Sequence, residues 1–75
     1  AKAAPKHPKS ALQEWCAANN HKVPVYEVTA KEGPPHAMRF EVTVSVKGFA
    51  PVAATANSKQ TAETAAAKAF LEKNA

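Results

Sequence analysis

Between Arg39 and Lys47 the chain alternates without interruption. Phe40, Val42, Val44 and Val46 fall on one parity; Arg39, Glu41, Thr43, Ser45 and Lys47 fall on the other. Successive side chains of a strand point to opposite faces, so this segment predicts a strand with one face buried and one in water. Such a sheet has to cover its apolar face. In 75 residues the cover must come from a few short elements around one small core. A chain of this size buries only about 60% of its unfolded surface, which leaves no room for a large enclosed substrate cavity.

Two helical patterns flank that strand. Pro8 suits a first helical position, and Ser10-Ala11-Leu12-Gln13 matches a capping box; the two signals set the start two residues apart. Leu12, Trp15 and Cys16 share a helical stripe and are expected to face the core. Asn19-Asn20 is a plausible exit, because asparagine tolerates the left-handed conformation. At the far end Asn57-Ser58 offers an N-cap, and an alanine-rich helix is expected from Lys59 to about Lys73. Its core stripe reads Ala62, Ala65, Ala66, Ala69 and Phe70. Val23–Ala30 and the weaker Val52–Ala56 read as two more strands, with Tyr26 and Val28 on one face of the first and Val25 and Glu27 on the other. Lys31–Ala37 is a turn cluster. The expectation is an α+β domain of order α-β-β-β-α, with a three-stranded antiparallel sheet and both helices on one face. Residues 1–7, with His7 as the last, read as a flexible linker, and residues 8–75 as the domain.

Ten basic and six acidic side chains give a net charge of +4. Setting aside Lys2 and Lys6 of the lead-in leaves eight against six, a net of +2. That bias is compatible with phosphate contacts and equally with a solvated basic surface. The lone Cys16 cannot form an internal disulfide and fits a reducing, cytoplasmic setting. No apolar run approaches a membrane span. The chain has no aspartate, its six glutamates are scattered, and its three histidines lack zinc-ligand spacing. Neither a catalytic residue nor a metal site is expected in it. Trp15 and Cys16 are expected as core. His21 is expected only to cap or follow the first helix.

Polar chemistry gathers at three places. Ser10, Gln13 and Glu14 lie on the first helix. Gly33-Pro34-Pro35-His36 forms a stiffened turn carrying a histidine. Ser58-Lys59 opens the last helix with a cation beside free N–H groups. The outer sheet face offers Glu41, Thr43 and Ser45 and no aromatic platform of the kind on which single-stranded bases stack.

Pro8-Lys9-Ser10-Ala11-Leu12-Gln13-Glu14-Trp15, Pro24-Val25-Tyr26, Gly33-Pro34-Pro35-His36, Phe40 with its valines, and Ser58-Lys59 with Ala62-Glu63 and Ala65-Ala66-Ala67 follow in order. In these pieces the chain resembles the double-stranded RNA-binding domain, most of all the one at the carboxyl end of bacterial ribonuclease III. The resemblance covers about residues 8–73. It implies binding of duplex RNA by shape, over about 16 base pairs. Ser10, Gln13 and Glu14 would touch one minor groove, the loop around Pro35 and His36 the next, and Ser58 and Lys59 the phosphates between. It also implies a ribonuclease III parent: a homodimeric endoribonuclease with divalent metal, Mg²⁺, held in a separate catalytic domain. No small-molecule substrate and no membrane partner are implied, and the domain itself would be a monomer.

Two departures stand out. Ala56-Asn57 replaces the glycine usual before the second helix, and Gln60 and Glu63 stand where family members often carry cations. Weaker phosphate contact is expected there. The alternative is a protein-interaction or dimerisation module of the same fold with weak RNA affinity.

Overall fold

The N-terminal signals resolve in favour of proline. In the computed structural model, which describes residues 7–74, helix α1 spans Pro8–Ala18 with Pro8 in its first turn. Its N-cap is His7, whose Nδ1 accepts a hydrogen bond from the Lys9 amide at 3.3 Å. His7, assigned to the lead-in from sequence, thus belongs to the helix boundary; residues 1–6 of that lead-in lie outside the described residues. Ser10 sits inside the helix, so the capping-box alternative is not used.

The exit is at the asparagines. Asn20 has φ of 60°, the left-handed region. The amide of Asn20 donates to the Ala17 carbonyl at 3.3 Å and that of His21 to the Cys16 carbonyl at 2.8 Å. This crossed pair of bonds is the Schellman ending, which satisfies carbonyls the helix would otherwise leave open.

Strand β1 (Val25–Glu32), β2 (Arg39–Ser45) and β3 (Val52–Ala56) form one antiparallel sheet in that order, followed by helix α2 (Lys59–Asn74). The architecture is the expected α-β-β-β-α. Element ends differ from the sequence reading. β1 begins at Val25, not Val23, because Val23 stays outside the ladder and 67% exposed. It also runs on through Lys31 and Glu32, which had been placed in the turn. A bulge allows this: Val28 pairs with Val42 and Ala30 with Glu41, leaving Thr29 as the extra residue. The Thr29 hydroxyl is held on the outer face by Glu41 Oε1 at 2.8 Å and Thr43 Oγ1 at 3.0 Å. β2 ends two residues before Lys47, although Val46 remains buried.

The core is Leu12, Cys16, Val42, Val44, Val46, Ala62, Ala66, Ala67 and Phe70. Ala67 joins it, whereas Ala65 and Ala69, expected in the stripe, are half-buried. α2 meets α1 as well as β2 and β3, so its buried arc is wider than a single stripe. Alanines permit that close approach on two sides. Lys9 meets Glu63, and further along Trp15 meets Phe70, so the helices lie side by side and run in the same direction. Trp15, His21, Phe49 and Phe70 complete one end of the core, with ring centroids 4.9–5.8 Å apart and mostly edge-on. His21 therefore has a packing role that a cap-or-follow reading missed. Its ring is brought there by the helix ending.

Candidate nucleic-acid interface

The turn after β1 is compact because Gly33 permits it. Gly33 has φ of +96°, and a Cβ there would stand 2.8 Å from the Ala37 carbonyl oxygen. Only glycine fits so close to backbone in that conformation. Pro34 then leads into a short 3-10 turn, Pro35–Ala37, closed by the Ala37 amide on the Pro34 carbonyl at 2.9 Å. Pro35 and His36 are exposed on its outside. Two prolines and one hydrogen bond hold the histidine out on a stiff base.

The second helix is prepared by Ser58, which is the N-cap. The Thr61 amide donates to Ser58 Oγ at 3.1 Å, and Ser58 Oγ donates to Thr61 Oγ1 at 2.8 Å. The Ser58 hydroxyl is thus committed to the helix start. Lys59 follows as an exposed first helical residue. The amides of Lys59 and Gln60 have no acceptor among the described residues, so this end pairs a lysine with open N–H donors.

One groove runs from the loop to Asn57, the residue before the Ser58 cap. It is lined by the loop from Pro35 through Arg39 and Phe40 on one side and by Asn57 on the other. Sheet register explains the meeting: Phe40 pairs with Ala56, so the residues next to them, Arg39 and Asn57, reach the same end of the sheet. Arg39 and Asn57 were not among the expected site residues. The clue in the sequence was indirect: Arg39 opens the strand straight after the histidine turn. Its neighbour across the groove depends on the β2–β3 register, which alternation alone does not set.

Ser10, Gln13 and Glu14 occupy the exposed face of α1. With Ala17 they line a separate shallow depression. The helix places them there because Leu12 and Cys16 turn the opposite face into the core. α1 is tied to α2 by Lys9 Nζ and Glu63 Oε1 at 2.7 Å, and Lys9 Nζ also lies 5.2 Å from the centre of the Tyr26 ring. The Glu63 side chain is only 17% exposed. It is an inward partner of Lys9 and not a position facing out, which corrects its reading as a lost phosphate contact. Gln60, in contrast, is exposed.

Tyr26 takes part in the same junction. Its hydroxyl is buried and has no hydrogen-bond partner among the described residues. Burial, then the negative charge of Glu63 and the Cys16 thiol, push its pKa up to about 12. Burial also raises the Cys16 thiol, which disfavours the thiolate a reactive cysteine would need. Among the described residues no three His, Cys, Asp or Glu side chains gather to hold a metal ion. Nor, among the described residues, is any helix long and apolar enough to cross a membrane.

Known proteins share this arrangement. The family model described as the double-stranded RNA binding motif matches residues 8–74. The Ribonuclease 3 of Zymomonas mobilis subsp. mobilis is 54% identical over 69 residues, which is 92% of this chain and 28% of that protein. The Ribonuclease 3 of Caulobacter vibrioides is 49% identical over 69 residues, 92% of this chain and 30% of that protein. The chain therefore spans under a third of the length of these relatives. Among solved structures, Arabidopsis HYL1, described in connection with miRNA processing, superposes with a TM-score of 0.78 at 33% identity, covering 91% of this chain and 96% of that one. With the helices, the sheet order and the loop groove in place, these matches decide the kinship: the chain belongs to the double-stranded RNA binding motif family.

Proposed function

We propose that the domain binds double-stranded RNA by shape, through three regions. Ser10, Gln13 and Glu14 on α1 meet one minor groove. Pro35 and His36 on the loop meet the next. Lys59, set by the Ser58 cap, meets the phosphates between. The observation that supports this reading is the groove between the His36 loop and Asn57, the residue just before the Ser58 cap that sets Lys59 at the start of α2. A-form RNA presents that pairing of targets: 2′-hydroxyls in a shallow minor groove and phosphates across a deep, narrow major groove. Gln13 both donates and accepts, Glu14 accepts from a ribose hydroxyl, and His36 reaches in from the loop.

The test is binding to matched RNA and DNA duplexes of ~20 base pairs, longer than the ~16-pair footprint, at two salt concentrations. RNA binding that falls as salt rises, with little DNA binding, is expected. Equal affinity for the two duplexes would overturn the reading, since the ribose hydroxyl would then play no part.

The larger protein is part of the same proposal. A ribonuclease III parent is supported by the bacterial Ribonuclease 3 relatives; that this parent is cytoplasmic and homodimeric is the part of the proposal that rests on the resemblance alone. Its Mg²⁺-dependent cleavage would rest on carboxylates in another domain, because the donor set of the described residues does not fit a metal. Duplex RNA incubated with this domain and Mg²⁺ should yield no products; cleavage by the domain alone would refute that division of labour. The alternative of a protein-interaction module drew on Gln60 and Glu63 in place of cations. With Glu63 bonded to Lys9, only Gln60 still speaks for it.

A further inference from the structure

We propose that Arg39 is a phosphate contact, set across the loop groove from the start of α2, where it supplies the cation that Gln60 does not. This rests on the duplex-RNA reading above and names a residue that reading does not include.

The placement comes first. Arg39 is the first residue of β2, directly after the turn that carries His36. The β2–β3 register brings it to the level of Asn57, and both line the groove with Pro35, His36 and Met38. Its pairing state comes second. Arg39 lies opposite Glu32 in the β1–β2 ladder, the position from which a cross-strand ion pair would form. None does: among the described residues its guanidinium has no ion pair and no hydrogen bond. It is an exposed cation with its fork open. Apart from Arg39, the exposed cations Lys22, Lys31, Lys47, Lys59, Lys68 and Lys73 line neither this groove nor the α1 depression, and of these only Lys59 stands at a helix start.

The chemistry selects the ligand. A guanidinium is charged at every working pH and presents donors in a planar fork that matches two phosphate oxygens. The Asn57 amide and the His36 ring add further hydrogen-bond donors in the same groove. A-form RNA keeps its base edges in a groove side chains do not read, so the atoms within reach of such a fork are backbone oxygens. Lys59 is the sole cation in the first turn of α2. An arginine from the neighbouring strand restores a second phosphate contact without a second lysine on the helix.

Salt dependence separates this role from a general surface charge. Binding of an RNA duplex of ~20 base pairs is measured across a salt series for the wild-type domain, Arg39→Gln, Arg39→Lys and the double variant Arg39→Gln/Gln60→Lys. Arg39→Gln should weaken binding several-fold and lower the slope of log K against log salt by about one unit. Arg39→Lys should keep the slope and lose part of the affinity, since an ammonium lacks the fork. The double variant should regain the slope. The free domain should melt at the wild-type temperature in Arg39→Gln, because no bond is lost, and circular dichroism at the assay temperature verifies that each variant is folded. A wild-type slope in Arg39→Gln, with or without an affinity change, overturns the inference while duplex-RNA binding by the wild type stands. Failure of the wild type to bind the duplex removes the reading beneath it.

Discussion

At the scale of single residues, the two glycines make a controlled comparison. Gly33 and Gly48 have nearly equal positive φ, +96° and +93°. A Cβ on Gly33 would collide with the Ala37 carbonyl, whereas nothing lies within 4 Å of one on Gly48. Gly48→Ala should cost about 1 kcal/mol, the backbone penalty alone. Gly33→Ala should cost more, about 2–3 kcal/mol, and should also weaken RNA binding by shifting His36. Urea melts of both variants, with binding measured alongside, check the difference. Tyr26 gives a second residue-level expectation. Its folded pKa is raised above the ordinary value of 10 to about 12. A raised pKa means the native state holds the proton more tightly, so the stabilisation is complete below pH 10 and is lost as pH climbs toward 12. Tyr26→Phe should flatten that alkaline decline, leaving the part due to the raised Cys16 thiol. At neutral pH it should be neutral or slightly stabilising, since it removes a buried hydroxyl with no partner. Denaturation curves at a series of pH values from 7 upward would show a steep decline persisting in Tyr26→Phe if Tyr26 were not responsible.

At the scale of elements, the Lys9–Glu63 bond ties the start of α1 to α2 beside the apolar core they share. The pair is partly buried, so its loss should fall between the ~0–1 kcal/mol of exposed pairs and the ~3–5 kcal/mol of broken buried ones. Glu63→Lys is the informative change. By the family pattern it adds a cation at a position that sometimes has one. By this structure it sets two ammonium groups against each other beside the Tyr26 ring. We expect it to lower stability by about 2 kcal/mol and to give no gain in RNA affinity matching its added charge. Thermal melts and the salt slope of binding measure both; a stable variant with a steeper slope would show that position 63 faces the phosphates after all.

For the molecule as a whole, one aromatic ring holds the layers together. Phe70 is fully buried and packs edge-on against Trp15 of α1 and Phe49 of the β2–β3 connection. Phe70→Ala should cost about 3–5 kcal/mol. A chain this small commonly has a total of only about 4–11 kcal/mol, so the variant should be largely unfolded at 37 °C by circular dichroism. RNA binding should vanish with the fold, because the three proposed contact regions lie on different elements and share only this core.

Most of the fold was legible in the chain, and for identifiable reasons. The alternation from Phe40 to Val46 marked the central strand because the strand period belongs to the backbone itself. Pro8, Asn20 and Ser58 marked helix ends because proline, a left-handed asparagine and a capping hydroxyl act on neighbours within a few residues. Ordered motifs likewise pointed to Ser10, Gln13, Glu14, Pro35, His36, Ser58 and Lys59 as candidates. What remained hidden were pairings between distant residues. That Thr29 is bulged, that His21 packs beside Phe49, that Glu63 turns inward to Lys9 and that Arg39 shares a groove with Asn57 all depend on strand register and helix docking. Local preferences act over one turn or one hairpin, whereas those partners are chosen by how the whole apolar surface closes, and only the assembled structure carries that choice.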